Sequence, residues 1–199
     1  MTSESLLRLR HFSQHPTIKV GIKTVRVNLS YYSHHLAESL QSFARYHSDL
    51  LTEHIEPEVM GNRPNNPGYL ALIDKASQVA ASWDKIGNGQ DPEDDMGFYI
   101  QKSFNGYRGL FEDQQMARDD RRFLQVVAPA YAQFPNAKNL EIHDHVNHGP
   151  LGYRYFDADV DIGTEAFRKR KLSPSAWEEA KCFESLATPP VFDFILLVS

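Results

Sequence analysis

Cysteine is almost missing from this chain. The single residue, Cys182, excludes an internal disulfide and any C-x-x-C redox or zinc motif. Long apolar runs are missing as well. The longest, Phe194-Ile195-Leu196-Leu197-Val198, is far short of the ~20 residues a bilayer-spanning helix needs, so no membrane partner is expected. The first thirty residues hold no apolar stretch resembling a signal peptide, which places the expected location inside the cell, in cytoplasm or nucleus. An excess of positive charge is lacking: the net charge is −5, which disfavours nucleic acid and anionic lipid as partners. No P-loop, G-x-G-x-x-G or G-x-S-x-G occurs, so no cofactor is expected from a motif. What remains is ordinary for a globular protein, with 41% apolar residues over 199 positions, and one domain spanning 1–199 is the expectation.

Three stretches read as strands. In residues 22–29, Val25, Val27 and Leu29 alternate with Thr24, Arg26 and Asn28. In 138–143, Leu140 and Ile142 face one way and Asn139, Glu141 and His143 the other. Residues 191–198 are apolar on both faces apart from Asp193. A helical stretch and then a proline precede each. Leu6, Leu7 and Leu9 lead to Pro16, residues 120–132 lead to Pro135, and a helix begun by Ser173 or Ser175 leads to Pro189-Pro190. Proline there is expected to stop the helix and send the chain into an extended path.

Two longer helices fall between the first two strands. One runs from Pro67 to Ile86, with Leu72, Ile73, Ala76, Val79, Ala80, Trp83 and Ile86 as its stripe and Gly87 as its stop. The other covers about 98–118, with Gly106 and Gly109 as weak points, and residues 31–51 can also be helical. Residues 56–66 and 87–95 read as loops, the acidic run Asp91 to Asp95 as a solvated one. Helix-then-strand order implies crossover connections. The fold expected is α/β: irregular leucine-rich-repeat-like helix-strand units, a short parallel sheet, and an inserted helical segment, in a chain cut short after its last strand.

Three of the nine histidines crowd into residues 143–148, as His143-Asp144-His145-Val146-Asn147-His148. On an extended backbone His143 and His145 share a face, and His148 can return through the turn Asn147-His148-Gly149-Pro150. With Asp144 they make a conceivable zinc set, and a metal-dependent hydrolase is the alternative function. The text resembles the H-x-H-x-D-H motif of the metallo-β-lactamase fold, but the metal-binding aspartate is replaced by Asn147 and no histidine follows His148. The plainer reading is a strand turning polar as it leaves the core, with no metal. Arg168-Lys169-Arg170-Lys171 likewise reads as a solvated loop, and Cys182 as a small buried side chain.

Two long stretches carry a family likeness. L-L-R-L-R-H-F-S-Q-H-P-T-I-K-V-G-I-K-T-V-R-V at 6–27 and Y-R-G-L-F-E-D-Q-Q-M-A-R-D-D-R-R-F-L-Q-V-V-A-P-A-Y-A-Q-F-P-N-A-K-N-L-E-I at 107–142 resemble the uncharacterised, expanded family of fungal F-box domain-containing proteins. In that family an F-box helical module docks on Skp1, and a leucine-rich-repeat-like region behind it recruits proteins for ubiquitination. The resemblance implies that this chain corresponds to the recruiting region without the F-box, so Skp1 docking is not expected. The implied function is a non-enzymatic ubiquitin-ligase adaptor fragment that binds a protein substrate. Strand ends and following loops are the expected surface: His143, His145, His148, Tyr153, Arg154, Tyr155 and Phe156, since aromatic and arginine side chains dominate interface hot spots.

Overall fold

The computed structural model describes residues 3–28, 31–60, 67–143 and 162–172. Helices dominate: α1 (Ser3–Gln14), α2 (Pro16–Gly21), α3 (His34–Glu38), α4 (Leu40–Met60), α5 (Pro67–Gly87), α6 (Asp95–Asp119), α7 (Arg122–Ala132) and α8 (Glu165–Lys171). Two strands, β1 (Thr24–Asn28) and β2 (Asn139–His143), complete the described elements. The architecture is mixed α/β with helix predominating. The third expected strand and the helix before it fall outside the described residues. Two compact units divide the described chain, one formed by residues before 34 and from 110 to 143, the other by 34–109 and 162–172.

In the first unit β1 and β2 run parallel, with Val25 opposite Leu140 and Arg26 opposite Glu141. The period-two pattern decides the faces. Val25 is buried and Leu140 partly buried, whereas on the other face the Arg26 guanidinium reaches the Glu141 carboxylate at 2.9 Å. α1 packs on α7 and brings Leu6 and Leu9 against Ala117, Val126 and Val127. Its first amide, Ser3 N, donates to Asp113 Oδ2 at 2.8 Å.

Pro16 does not send the chain straight into a strand. It opens α2, with His15 as the cap whose Nδ1 accepts from Ile18 N at 3.3 Å. The first turn of a helix has no use for the missing proline N–H, and His15 adopts the extended conformation a residue before proline prefers. Pro135 instead lies in a turn that leads into β2. The extra α2 turns put Thr24 eight residues beyond its proline, whereas Asn139 is four beyond Pro135. The strands still meet in register: Lys138 N donates to Lys23 O at 3.0 Å and Asn136 Nδ2 to Val20 O at 2.7 Å.

In the second unit, Phe43, Ala44, His47, Ser48 and Leu51 form the buried stripe of α4. It faces the α5 stripe of Ala76, Val79, Ala80, Trp83 and Ile86, closely enough for Ser48 Oγ to donate to Ala80 O at 2.8 Å. Ser39 separates α3 from α4 because its hydroxyl accepts from Ser42 N and so caps the new helix. The expected loop at 56–66 is partly helix, since α4 continues to Met60; Pro57 sits in the last turn, where its missing N–H costs one intrahelical bond between the good helix formers Glu56 and Glu58. Gly87 ends α5, its carbonyl accepting from Arg45 at 2.6 Å.

The acidic run has a task in the fold. Asp94 Oδ1 accepts from Gly97 N at 2.6 Å and from Ser82 Oγ at 2.8 Å, capping α6 and tying it to α5. The amide of Gly97 is the main reason the Asp94 carboxyl lies below the ordinary aspartate range.

Candidate functional site

Of the expected site residues, only His143 belongs to the described chain, where it closes β2 opposite Asn28. Asp144, His145, His148, Tyr153, Arg154, Tyr155 and Phe156 lie outside the described residues. Among the described residues no group of three or more His, Cys, Asp or Glu side chains could hold a metal ion. Two other places gather chemistry, one in each unit.

The first is internal. Lys171 was expected on a solvated basic loop; the structure instead makes 165–171 a helix and buries Lys171 to 1% exposure. Thr164 Oγ1 accepts from Phe167 N and starts α8, and Arg168 Nε donates to Glu165 Oε2 at 2.8 Å. Phe167 and Lys171 are four residues apart and share a face. Phe167 stacks against Trp83 and Tyr99, with centroids 6.2 and 6.0 Å away, and these two rings lie 6.5 Å apart and nearly parallel. The Lys171 ammonium stands 4.5 Å from the Phe167 centroid and 5.3 Å from that of Trp83, both within cation–π range.

Backbone bonds orient the rings. Trp83 Nε1 donates to Met96 O at 3.0 Å and Tyr99 Oη to Thr164 O at 3.1 Å. Burial raises the Tyr99 phenol, so it stays a neutral donor. Gly106 belongs to the same construction, since a Cβ there would stand 3.1 Å from Leu172 Cδ2.

His47 completes the cluster on α4, edge-on to Phe43 at 4.4 Å and to Tyr46 at 5.1 Å. Burial first, and the Lys171 ammonium second, hold its imidazole well below the ordinary histidine range. The Phe167 ring and the Lys171 cation, set against Trp83 and Tyr99, form a clasp that fastens α8 to α5 and α6. Solvent does not reach this histidine, which is 5% exposed, so it is poorly placed for proton exchange with a substrate. Sequence reading missed the clasp; the signal available was the i, i+4 spacing of Phe167 and Lys171.

The second place is external. Seven large apolar side chains are exposed in the described chain, and four of them, Leu7, Phe12, Ile18 and Val20, fall on α1 and α2. Leu7 is 64% exposed, more than any other of the seven. Scattered exposed apolar residues are normal, so the concentration in fourteen consecutive positions is what distinguishes this surface.

No family model, curated protein or solved structure matches the chain. No helix of the described residues is long and apolar enough to cross a membrane.

Proposed function

We propose that the chain is a non-enzymatic protein-interaction unit that recruits a protein substrate, in the manner of the recruiting region of an F-box ubiquitin-ligase adaptor. The supporting observation is the exposure of Leu7, Phe12, Ile18 and Val20 on two consecutive helices. Apolar surface left in water is surface whose burial a partner can use, at about 25 cal/mol per Å². The strand-end residues His143, His145 and His148, with Tyr153 to Phe156, are a second contact region within this proposal. Skp1 docking is no part of it.

The test is affinity capture with the full chain, followed by reconstitution of the captured pair from purified components. A binary complex that Phe12→Ser weakens supports recruitment. Zinc content by elemental analysis is measured on the same untagged protein. About one zinc per chain, lost when His143, His145 and His148 become alanine, would replace this reading with the metal-dependent hydrolase one.

A further inference from the structure

The recruiting surface has a charge that the rest of the chain does not share. Residues 3–28 contain Arg8, Arg10, Lys19, Lys23 and Arg26 against the single acid Glu4, in a chain whose net charge is −5. Two of these cations have acidic neighbours, since Arg8 pairs with Glu4 and Arg26 with Glu141. Arg10 and Lys23 are exposed and Lys19 is half-exposed, and none of the three makes an ion pair among the described residues. The same short segment thus presents aliphatic and aromatic surface together with uncompensated positive charge. We infer that α1 and α2 form a docking surface for an acidic protein segment that carries apolar side chains. This rests on the protein-recruiting reading and specifies its partner.

Charge complementarity selects the sign of the partner, and the apolar side chains select its class. Nucleic acid is also anionic, but its bases want aromatic stacking platforms, and three of the four exposed apolar residues here are Leu, Ile and Val. A bilayer buries one face of a helix with a large apolar moment. Leu7 and Phe12 are five residues apart, so they project about 140° apart around α1 at ~100° per residue. A flat lipid surface cannot cover both, whereas a peptide segment can follow the helix and contact each. The polar positions between them, Arg8 and His11, are exposed, and a carboxylate on the partner can bridge there.

The full chain should be used to select binders from a displayed library of random 16-residue peptides. Recovered peptides enriched in Asp and Glu interspersed with Leu, Ile, Val or Phe are the expected result. Their affinity should fall about tenfold in the variant Arg10→Glu, Lys19→Glu, Lys23→Glu, from three rim ion pairs. It should also fall in Phe12→Ser with Ile18→Ser, and stay unchanged in Leu70→Ser with Phe98→Ser, whose exposed side chains belong to the other unit. All these positions are exposed or half-exposed, and unchanged circular dichroism checks that each variant folds. Recovered peptides that lack acidic residues, or that bind the charge-reversed variant equally well, would overturn the inference while leaving protein recruitment standing. Recovery of no peptide at all would remove both. Co-sedimentation with phosphatidylserine vesicles, lost in the charge-reversed variant, would overturn it in favour of lipid. Self-association abolished by Phe12→Ser would do so in favour of a second copy of the chain.

Discussion

The two units differ in which polar groups they bury and in how much apolar surface they expose. The unit made of α4, α5, α8 and the first part of α6 draws two nitrogen bases, His47 and Lys171, into a core of Trp83, Phe43, Tyr107 and Phe167. The unit built on the β1–β2 pair has a small aliphatic cluster, Leu6, Ala117 and Val127, buries the rings of Tyr31, Tyr32 and Phe134 with no buried cation among its described residues, and leaves apolar side chains of α1 and α2 in water. Large rings supply enough dispersion and quadrupole interaction to accommodate a cation. In the β1–β2 unit Arg8, Arg10, Lys23 and Arg26 are exposed and Lys19 is half-exposed. The largest fully buried rings are concentrated in one unit and most of the exposed large apolar side chains in the other.

Removing the largest ring tests that division most severely. Trp83→Ala takes away an indole that is fully buried, stacked on two rings and bonded to Met96 O. A loss of about 3–5 kcal/mol in denaturant unfolding is expected. Leu6→Ala should cost nearer 2 kcal/mol, the low end for such truncations, because its partly exposed neighbours can close over the gap. Equal losses would mean that the aliphatic cluster is as tightly packed as the aromatic one.

Acid should distinguish the units next. His47 is held neutral in the folded state, whereas in the unfolded chain it titrates near 6.5. Below that pH the unfolded state binds the proton and the folded state does not. Stability therefore falls with falling pH, by up to about 1.4 kcal/mol per pH unit from this group, and levels off once the folded histidine itself protonates. Above pH 7 the contribution is constant. His47→Leu should flatten this part of the profile between pH 6.5 and 5, measured by urea midpoints. Lys171→Met should raise the His47 pKa in an NMR titration without restoring its ordinary value, because burial is the larger cause. An unchanged His47 titration would show that the ammonium does not act on the imidazole.

How far the sequence foretold each unit follows the same line. β1 and β2 were legible because one face of each is buried and period two shows it: Val25 with Leu140 inside, Arg26 with Glu141 outside. The α5 stripe was legible for the equivalent reason at period 3.6. α2 was not, because proline stops one helix and starts another with the same residue, and only the His15 cap and the conformations of 17–21 decide between them. Lys171 was illegible for a different reason. A basic run predicts solvent by composition, and the rings that enclose Lys171 come from positions 83 and 167, of which only the second is near in sequence. The α1 surface escaped notice because Leu6, Leu7, Leu9 and Phe12 together go most of the way round the helix, so periodicity could not say which would stay in water.

A smaller effect is expected at the sheet. The Arg26–Glu141 pair joins the two strands across the exposed face, with 64% and 36% of the side chains in solvent. A double-mutant cycle with Arg26→Ala and Glu141→Ala should return a coupling below about 1 kcal/mol, weakening with added salt. A larger, salt-insensitive coupling would show that the pair holds the strand register, a task the structure otherwise gives to Val25 opposite Leu140.

An effect of similar size is expected in α6, whose residues are divided between the two units. α6 gives Ile100, Ser103, Phe104 and Tyr107 to one core and Gln114 and Ala117 to the other, and the change falls at Gly109. A Cβ at Gly109 would meet nothing within 4 Å. Glycine inside a helix is less favourable than alanine by up to about 1 kcal/mol, because the unfolded chain gains freedom and no contact offsets it. Gly109→Ala should therefore stabilise the protein by roughly 0.5–1 kcal/mol. Backbone amide exchange on each side of position 109 would show how the gain is shared. A gain confined to residues 95–109 means the aromatic unit governs the helix, and a gain on both sides means α6 melts as one element. Destabilisation would require that glycine be needed at 109 for a departure from helical geometry.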